Sequence, residues 1–588
     1  MRTIQQLLTD HLDIWTAAEI EKKSGRGRSG ANSFNIYGIK KLRELILDLA
    51  VRGKLVPQDP NDEPVSELLK RIQENQNQLI IAGKIKKNML VHPISDGEKP
   101  FNLPLGWEWV KLGVLTEKLT DGSHNPPKDA GCGLPMLSSQ NINFGKIDFD
   151  SPSRFVSVED FEIENRRTKV EYGDVLLTIV GSLGRPAVVP QDAPKFVLQR
   201  SVAVIRTELF NEFLCLQLSS PLCLNYYELH GKGTAQKGIY LGKLSEMPIA
   251  VPSLNEQHRI VEKVNQLMAL CDQLESKQNN ALEAHEKLVN HLLNTLIQSQ
   301  SAEDFNENWR RLAAYFDILF TTESSINALK QTLLHLAMMG KLVPQDPNDE
   351  PASTLIKNIK AEKAKLLTKS KINKEKLPSL ISNVKRQFEL PIGWELIRLD
   401  EISQVGTGAT PLRTKPEYFT PKVISWVTSG ETSNPYVYET EQYVSPLALK
   451  ETNLTVYPKG TLIVAMYGQG KTRGQITELM IEACTNQACA AIRLFNTDEF
   501  HRKYVKLYFE KIYDEIRELA AGGAQPNLNL SKVKETLLPL PPLQEQYRIV
   551  VKIDALFALC DQLIIRITTA KQLQKELADM IVEQVVAS

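Results

Sequence analysis

From residue 260 onward, apolar residues step by four and three: Ile260, Val264, Leu267, Cys271 and Leu274. That spacing puts them on one face of an α-helix and makes the narrow seam of a coiled coil. The seam carries on through Ala281, Leu288 and Leu292, with the polar residues Gln278 and His285 along it. A second seam runs through Ile549, Ile553, Leu556, Cys560 and Leu563 to Ile567 and Ala570. Two shorter stripes predict shorter helices: Ile39, Leu42, Ile46 and Leu49, and Ile326, Leu329, Leu333 and Leu336. The first stripe lies in a stretch, residues 1–52, that reads as helical throughout. Each short helix stops at a glycine, Gly53 or Gly340, because glycine takes the left-handed C′ position at little cost. Ser66 and Ser353 then read as N-caps of further helices that carry Leu68, Leu69 and Ile72, or Leu355, Ile356 and Ile359.

Between the helical stretches the period changes. Over about 101–252 and 388–541, short β-rich runs alternate with Gly, Pro, Asn and Ser. Asp174 to Val180 reads as a strand, and so does Thr461 to Tyr467. Val202 to Ile205 and Cys489 to Ile492 are a second such couple. Each segment has the length of one mixed α/β domain. The couples show that the chain repeats. The twelve residues from Gly53 to Pro64 return unchanged from Gly340 to Pro351, an offset of 287. Leu103-Pro104-Leu105-Gly106-Trp107-Glu108 returns as Leu390-Pro391-Ile392-Gly393-Trp394-Glu395 at the same offset. Glu256-Gln257-His258-Arg259-Ile260-Val261 returns as Glu545-Gln546-Tyr547-Arg548-Ile549-Val550, now at 289. The chain is a tandem duplication.

The expected fold is therefore α+β, with two α/β domains separated by long antiparallel coiled-coil helices. Its divisions are a helical region with a basic linker (1–100), a domain (101–252), a central helical spacer and linker (253–387), a second domain (388–541) and a last spacer helix (542–588). The central long helix runs toward the short helix near 324–339, and the two can fold back as an antiparallel pair. If both copies pack alike, the N-terminal helix must pair with the C-terminal one. That gives a closed, pseudo-twofold object with paired termini. The first copy alone carries Ser24-Gly25-Arg26-Gly27-Arg28-Ser29-Gly30, which reads as a flexible basic loop within an insert at 24–35. A harmless insertion is the plain reading of it, and a phosphate-touching arm the sharper one. Lys84, Lys86 and Lys87, and Lys369, Lys371, Lys374 and Lys376, form basic linkers of the kind that usually make a solvated face.

Composition narrows the function classes. Hydrophobic residues at 42% and charged residues at 24% suit a soluble globular protein. No apolar run reaches membrane length, and the start has no signal-peptide pattern, so a cytoplasmic protein is expected. Seven cysteines without a C-x-x-C pair argue against a structural zinc site and a disulfide framework. Net charge is +0, so a nucleic-acid binder of this kind needs local basic patches. Asn125-Pro126-Pro127-Lys128 resembles the N-P-P-aromatic motif of adenine methyltransferases, but lysine replaces the aromatic and no Gly-rich cofactor loop accompanies it. Gly468-Gln469-Gly470-Lys471-Thr472 resembles a P-loop, yet Ala465 stands where the first glycine is needed. No catalytic, cofactor or metal motif is complete.

Two variable α/β domains, each opened by L-P-x-G-W-E and closed by a P-x-L-x-E-Q-x-R-I-V helix, resemble the specificity (S) subunit of type I restriction–modification enzymes. The likeness spans nearly all 588 residues. It implies that the two domains are target recognition domains for double-stranded DNA and that the helices are the spacer between them. It also implies two methyltransferase (M) subunits docked on the chain and restriction/translocase (R) subunits joining them. S-adenosylmethionine, ATP and Mg would belong to those partners, so none is expected here.

A split target fits the expected parts. Equivalent points on one face of B-DNA recur about every 34 Å, and a helix of about 40 residues spans roughly 60 Å. Base readout in the major groove needs polar side chains on loops. In the first domain these are Ser123, His124, Asn125, Ser138, Gln140, Asn141 and Arg185. In the second they are Thr407, Thr410, Arg413, Thr428, Ser429, Gln469, Lys471 and Arg473. Gln236 matches Gln525 and Lys243 matches Lys532; with Lys237 beside the first, these suit phosphate contact better than discrimination, because both copies share the matched pairs. The rival class is a non-enzymatic protein-interaction scaffold, with duplicated α/β domains on a coiled coil.

Overall fold

A computed structural model describes residues 10–17, 20–22, 34–83, 93–233, 237–369, 390–468, 472–513, 515–516 and 528–587. The chain forms two compact units. One is Met1–Leu282 with Thr569–Ser588, and the other is Glu283–Thr568. The long helix Leu254–Ile297 begins in the first and ends in the second; Leu543–Ala587 does the reverse. Each unit thus combines the beginning of one long helix with the end of the other.

In the first unit, strand Glu108–Lys111 pairs antiparallel with Pro248–Val251, so the domain's entry and exit lie side by side. Between them, Pro186–Val188, Val175–Thr178, Val202–Thr207 and Thr116–Asp121 form an antiparallel sheet in that order. Val197–Leu198, Leu134–Leu137 and Arg154–Val156 form a smaller mixed sheet. The central strands are apolar on both faces, because both faces are covered. Val175, Leu177, Ala203 and Ile205 enter one core, and Leu176, Val202 and Val204 enter another. The second unit repeats this plan. Glu395–Arg398 pairs with Leu537–Leu540. Ser403–Thr407, Cys489–Leu494, Leu462–Ala465 and Ile476–Leu479 form the sheet, to which Tyr436–Val437 adds a fifth strand.

The repeated signatures meet at one junction in each unit. Helix Tyr37–Val51 closes with two bonds: Gly53 N donates to Ala50 O at 3.3 Å, and Lys54 N to Leu49 O at 2.9 Å. This is a Schellman motif, and Gly53 has φ +66°. A Cβ on Gly53 would stand 2.7 Å from Pro104 Cγ and 3.0 Å from the Trp107 ring, so glycine is also required by the close approach of the L-P-x-G-W turn. Trp107 Nε1 donates to Glu256 Oε2 at 3.0 Å. Arg259 holds Asp62 with both Nη atoms, at 3.1 and 2.6 Å, and that bond pulls the Asp62 carboxyl below its usual range. In the second unit Gly340 has φ +67° and would meet Pro391 Cγ at 2.5 Å; Trp394 donates to Glu545 at 2.9 Å, and Arg548 holds Asp349 at 3.3 and 2.6 Å. Burial raises both Glu256 and Glu545.

The termini pair. In the first unit Tyr37 Oη donates to Asp579 Oδ1 at 2.7 Å, and Lys54 Nζ reaches Val586 O at 3.3 Å. Ile39, Leu42 and Ile46 share a core with Ile260, Val264, Leu267, Cys271 and Ala578. In the second unit Ile326, Leu329 and Leu333 share a core with Val289, Leu293, Leu296, Ile549 and Ile553.

Four local expectations are corrected. Residues 1–52 are not helical throughout: strands Ile20–Lys22 and Phe34–Ile36 pair antiparallel between helices Leu12–Ala17 and Tyr37–Val51. The insert at 24–35 and the linker lysines 84, 86, 87, 371, 374 and 376 lie outside the described residues, apart from the strand at its end. Ser66 and Ser353 are not N-caps; their helices begin at Val65 and Ala352, after a proline whose fixed φ starts the turn. The short helix Glu323–Met338 does not fold back on the long one. Helix Ala302–Ala314, capped by Ser301, makes the return, and His285 Nε2 to Ile318 O (3.1 Å) and Lys341 Nζ to Ser299 O (2.9 Å) set the two parallel. Finally, the seam leaves the strict heptad. Ala281, Leu288 and Ala570 are exposed and Leu292 is half-buried, while Val289, Leu293, Leu296 and Ala578 are buried. A straight helix drifts about 20° per heptad, so the contact stripe moves on by one residue.

Candidate nucleic-acid interface

The divergent loops are gathered where strands end. In the first unit strand Thr116–Asp121 runs into Gly122, where a Cβ would stand 2.2 Å from Leu198 O. Only glycine lets the two chains cross. Ser123 N then donates to Leu198 O at 2.7 Å, and Arg200 N to Ser123 O at 2.9 Å. Gln199 N donates to Leu137 O at 2.9 Å and Ser139 N to Ser201 Oγ at 3.0 Å, which brings in the loop after Leu134–Leu137. Gly181 N donates to Lys237 O at 2.9 Å, and the place of its missing Cβ is 3.8 Å from Ser139 Oγ. Five separate stretches of chain thus meet.

The sequence-derived residues divide by burial. His124, Asn125, Gln140 and Lys237 are exposed. Ser123, Ser138 and Asn141 are buried, and two of them brace the loop: Ser138 N donates to Asn141 Oδ1 at 3.0 Å, and Asn141 Nδ2 to Ser151 O at 2.7 Å. Arg185 is half-buried beside Thr178, whose Oγ1 accepts from Arg185 N at 2.9 Å. Lys243 sits on helix Leu241–Ser245 and pairs with Glu246 at 2.7 Å; no described contact ties it to these loops. Gln236 lies outside the described residues.

The second unit repeats the crossing with other side chains. A Cβ on Gly408 would meet Thr485 O at 1.6 Å, and Ala409 N donates to that oxygen at 3.1 Å. Asn486 N reaches Val427 O at 3.0 Å, and Met466 N reaches Ala488 O at 2.7 Å. Thr410 and Arg413 are exposed; Thr407, Thr428, Ser429 and Arg473 are half-buried. Thr407 Oγ1 is committed to Cys489 O at 2.9 Å, and Ser429 O accepts from Thr432 Oγ1 at 2.7 Å. Lys532 is exposed on helix Leu530–Lys534, away from any described contact with these loops. Gln469, Lys471 and Gln525 lie outside the described residues.

Sequence reading missed a cluster beside His124. Arg167, in the last turn of helix Val158–Thr168, donates from Nε to Asp121 O at 3.0 Å and from Nη2 to Asp121 Oδ1. The other carboxylate oxygen of Asp121 is 2.8 Å from His124 Nε2. No spacing rule links residues 121 and 167. Among the described residues no group of three or more His, Cys, Asp or Glu side chains could hold a metal ion, and no helix is long and apolar enough to cross a membrane.

Two α/β domains of one plan, with unlike polar loops on a common helical frame, define a class of duplicated recognition proteins. The profile of the family described as type I restriction modification DNA specificity domain matches twice, over residues 106–284 and 391–571. The chain belongs to that family and is a specificity subunit of a type I restriction–modification system. It is 37% identical over 611 residues to the type I restriction enzyme EcoAI specificity subunit of Escherichia coli, covering 99% of both chains. It is likewise 37% identical over 610 residues to the EcoEI specificity subunit of Escherichia coli, again covering 99% of both. Among solved structures, it resembles a chain from the type I R-M system studied for complex assembly and conformational transition (19% identity, 83% of this chain, 99% of that one, TM-score 0.47). It also resembles the HsdS subunit from Thermoanaerobacter tengcongensis (18% identity, 83% and 98%, TM-score 0.37).

Proposed function

We propose that the segments 101–252 and 388–541 each read one part of a split, asymmetric DNA target through their strand-end loops. The observation that carries this is the gathering of divergent polar loops, in both units, at glycine-enabled chain crossings. Exposed His124, Asn125, Gln140, Thr410 and Arg413 would face base edges; Arg185, Thr428, Ser429 and Arg473 would sit at the margin, and Lys237 would meet phosphate. Buried Ser123, Ser138 and Asn141 would hold the loops in shape. The chain works in the cytoplasm with two methyltransferase subunits and with restriction/translocase subunits, which bring S-adenosylmethionine, ATP and Mg; alone it is catalytically inert. The length of the long helices sets the number of base pairs between the two parts of the target. The test is selection from a random duplex library by the full chain co-purified with its partner methyltransferase subunits. A motif in two parts with a fixed gap is expected. Recovery of unbiased DNA, or no DNA binding at all, would favour the protein-interaction scaffold instead.

A further inference from the structure

We propose that Arg167 is a base-reading residue of the first domain, specific for a guanine, and that Asp121 and His124 are its positioning residues. The inference rests on the reading of that domain as a DNA-recognition module.

The arginine guanidinium offers two edges with paired donors. The side edge, Nε with Nη2, is taken by Asp121: Nε donates to the main-chain oxygen at 3.0 Å and Nη2 to Oδ1. The end edge, Nη1 with the second hydrogen of Nη2, remains: among the described residues no partner occupies Nη1, and the side chain is 48% exposed. Two parallel donors on that edge match the O6 and N7 acceptors of guanine in the major groove. A free arginine must lose side-chain entropy to present them. Here Asp121 has already fixed the fork.

Charge separates base reading from phosphate binding. Asp121 is 11% exposed at its side chain and stays beside Arg167, so the pair adds little net positive charge. The helix end adds a partial negative charge of its own. Such a pair is poorly suited to attract a phosphate, whose binding is driven by unneutralised cations. What it offers is geometry. His124 completes the brace through the carboxylate: its Nε2–H donates to Asp121 Oδ2 at 2.8 Å, so the same nitrogen, 3.2 Å from Arg167 Nη2, does not accept from it, and the ring is 53% exposed. The cluster belongs to the gathered loops, because Asp121 ends the strand that leads into Gly122 and Ser123. The second domain has no counterpart. Gly408 takes the place of Gly122 at the crossing, so Thr407 and Thr410 stand where the first domain has Asp121 and His124; Leu454, at an offset of 287 from Arg167, is buried. This is a specificity element of one half-target only.

The experiment selects bound duplexes from a library randomised in both half-targets, using the full chain with its partner methyltransferase subunits. Arg167→Ala should lower the preference for guanine at one position of one half-target by about 5- to 100-fold and leave the other half unchanged. Asp121→Asn should broaden the same position by a smaller factor while raising affinity for unrelated DNA, because a negative charge is lost; this arm decides the matter should Arg167→Ala not fold. An unchanged motif for both variants overturns the proposal. So does an equal loss of affinity at every sequence with a shallower salt dependence, which marks a phosphate contact. If the unmodified complex selects no motif, the DNA-recognition reading itself has failed, and that result is distinct from these.

Discussion

The junction beneath each domain and the strand-end loops within it were duplicated together, and they have fared differently. At the junction the copies agree atom for atom: Trp107 on Glu256 at 3.0 Å and Trp394 on Glu545 at 2.9 Å, with Arg259 and Arg548 each 2.6 Å from an aspartate oxygen. At the loops only the glycine at the chain crossing is common in kind, Gly122 and Gly408; around it the first unit has Asp121, His124 and Arg167 where the second has Thr407, Thr410 and Leu454. The difference follows from what each place costs to change. A buried carboxylate with one N–H donor cannot lose that donor without leaving charge unsatisfied. An exposed loop side chain has water as an alternative partner and can be exchanged freely.

The comparison can be broken at the junction first, where the largest effect is expected. Arg259→Ala and Arg548→Ala each leave a mostly buried aspartate without its cation, Asp62 keeping the Ser253 Oγ bond at 3.0 Å, and should cost about 1–3 kcal/mol. The two losses should agree within about 0.5 kcal/mol, read separately by hydrogen exchange in each unit of the full chain. Unequal losses would mean that the junctions only look alike. A second test uses acid. His501 is fully buried, with Nδ1 2.9 Å from Gln546 Oε1 and with Asp498 and Arg502 near it, and burial holds its imidazole below the ordinary range. His335 is lowered likewise, by burial and then by Lys511. A folded-state value below the unfolded one means that only the unfolded chain takes the proton. Stability should therefore fall as pH drops below about 6.5, by up to about 1.4 kcal/mol per pH unit for each histidine. At an offset of 287 the first unit has Leu214 and Asp48, so exchange protection should fade first in the second unit, and His501→Leu should reduce the difference. The smallest effect concerns the long helices. Ala281→Gln and Ala570→Gln fall on the exposed side of the drifted stripe and should change stability by less than about 0.5 kcal/mol. A loss above 1 kcal/mol in thermal unfolding would put the strict heptad back.

Much of the frame was legible in the sequence because repetition marks it. Gly53, Trp107, Glu256 and Arg259 stand in text that occurs twice, although nothing in the text says that they touch. The coiled-coil seams were legible as period, and the error at Leu288 arose from extending a 3.5-residue repeat along a straighter helix. Helix Ala302–Ala314 was missed, yet Ser301 followed by Glu303 and Asp304 is a sound start signal. Arg167 left no signal: its meaning comes from Asp121, which is distant in sequence and adjacent only in the fold. Ser138 and Asn141 share the composition of readers, and burial alone sets them apart.

The central claim is that recognition sits in the loops and the common frame is neutral to it. Exchange of residues 101–252 for the equivalent segment of a relative with a different target tests this most directly, in the full chain with its partner subunits, by sequencing the methylated sites. One half of the target should change while the other half and the gap stay as they were. A change in both halves, or in the gap, would contradict it.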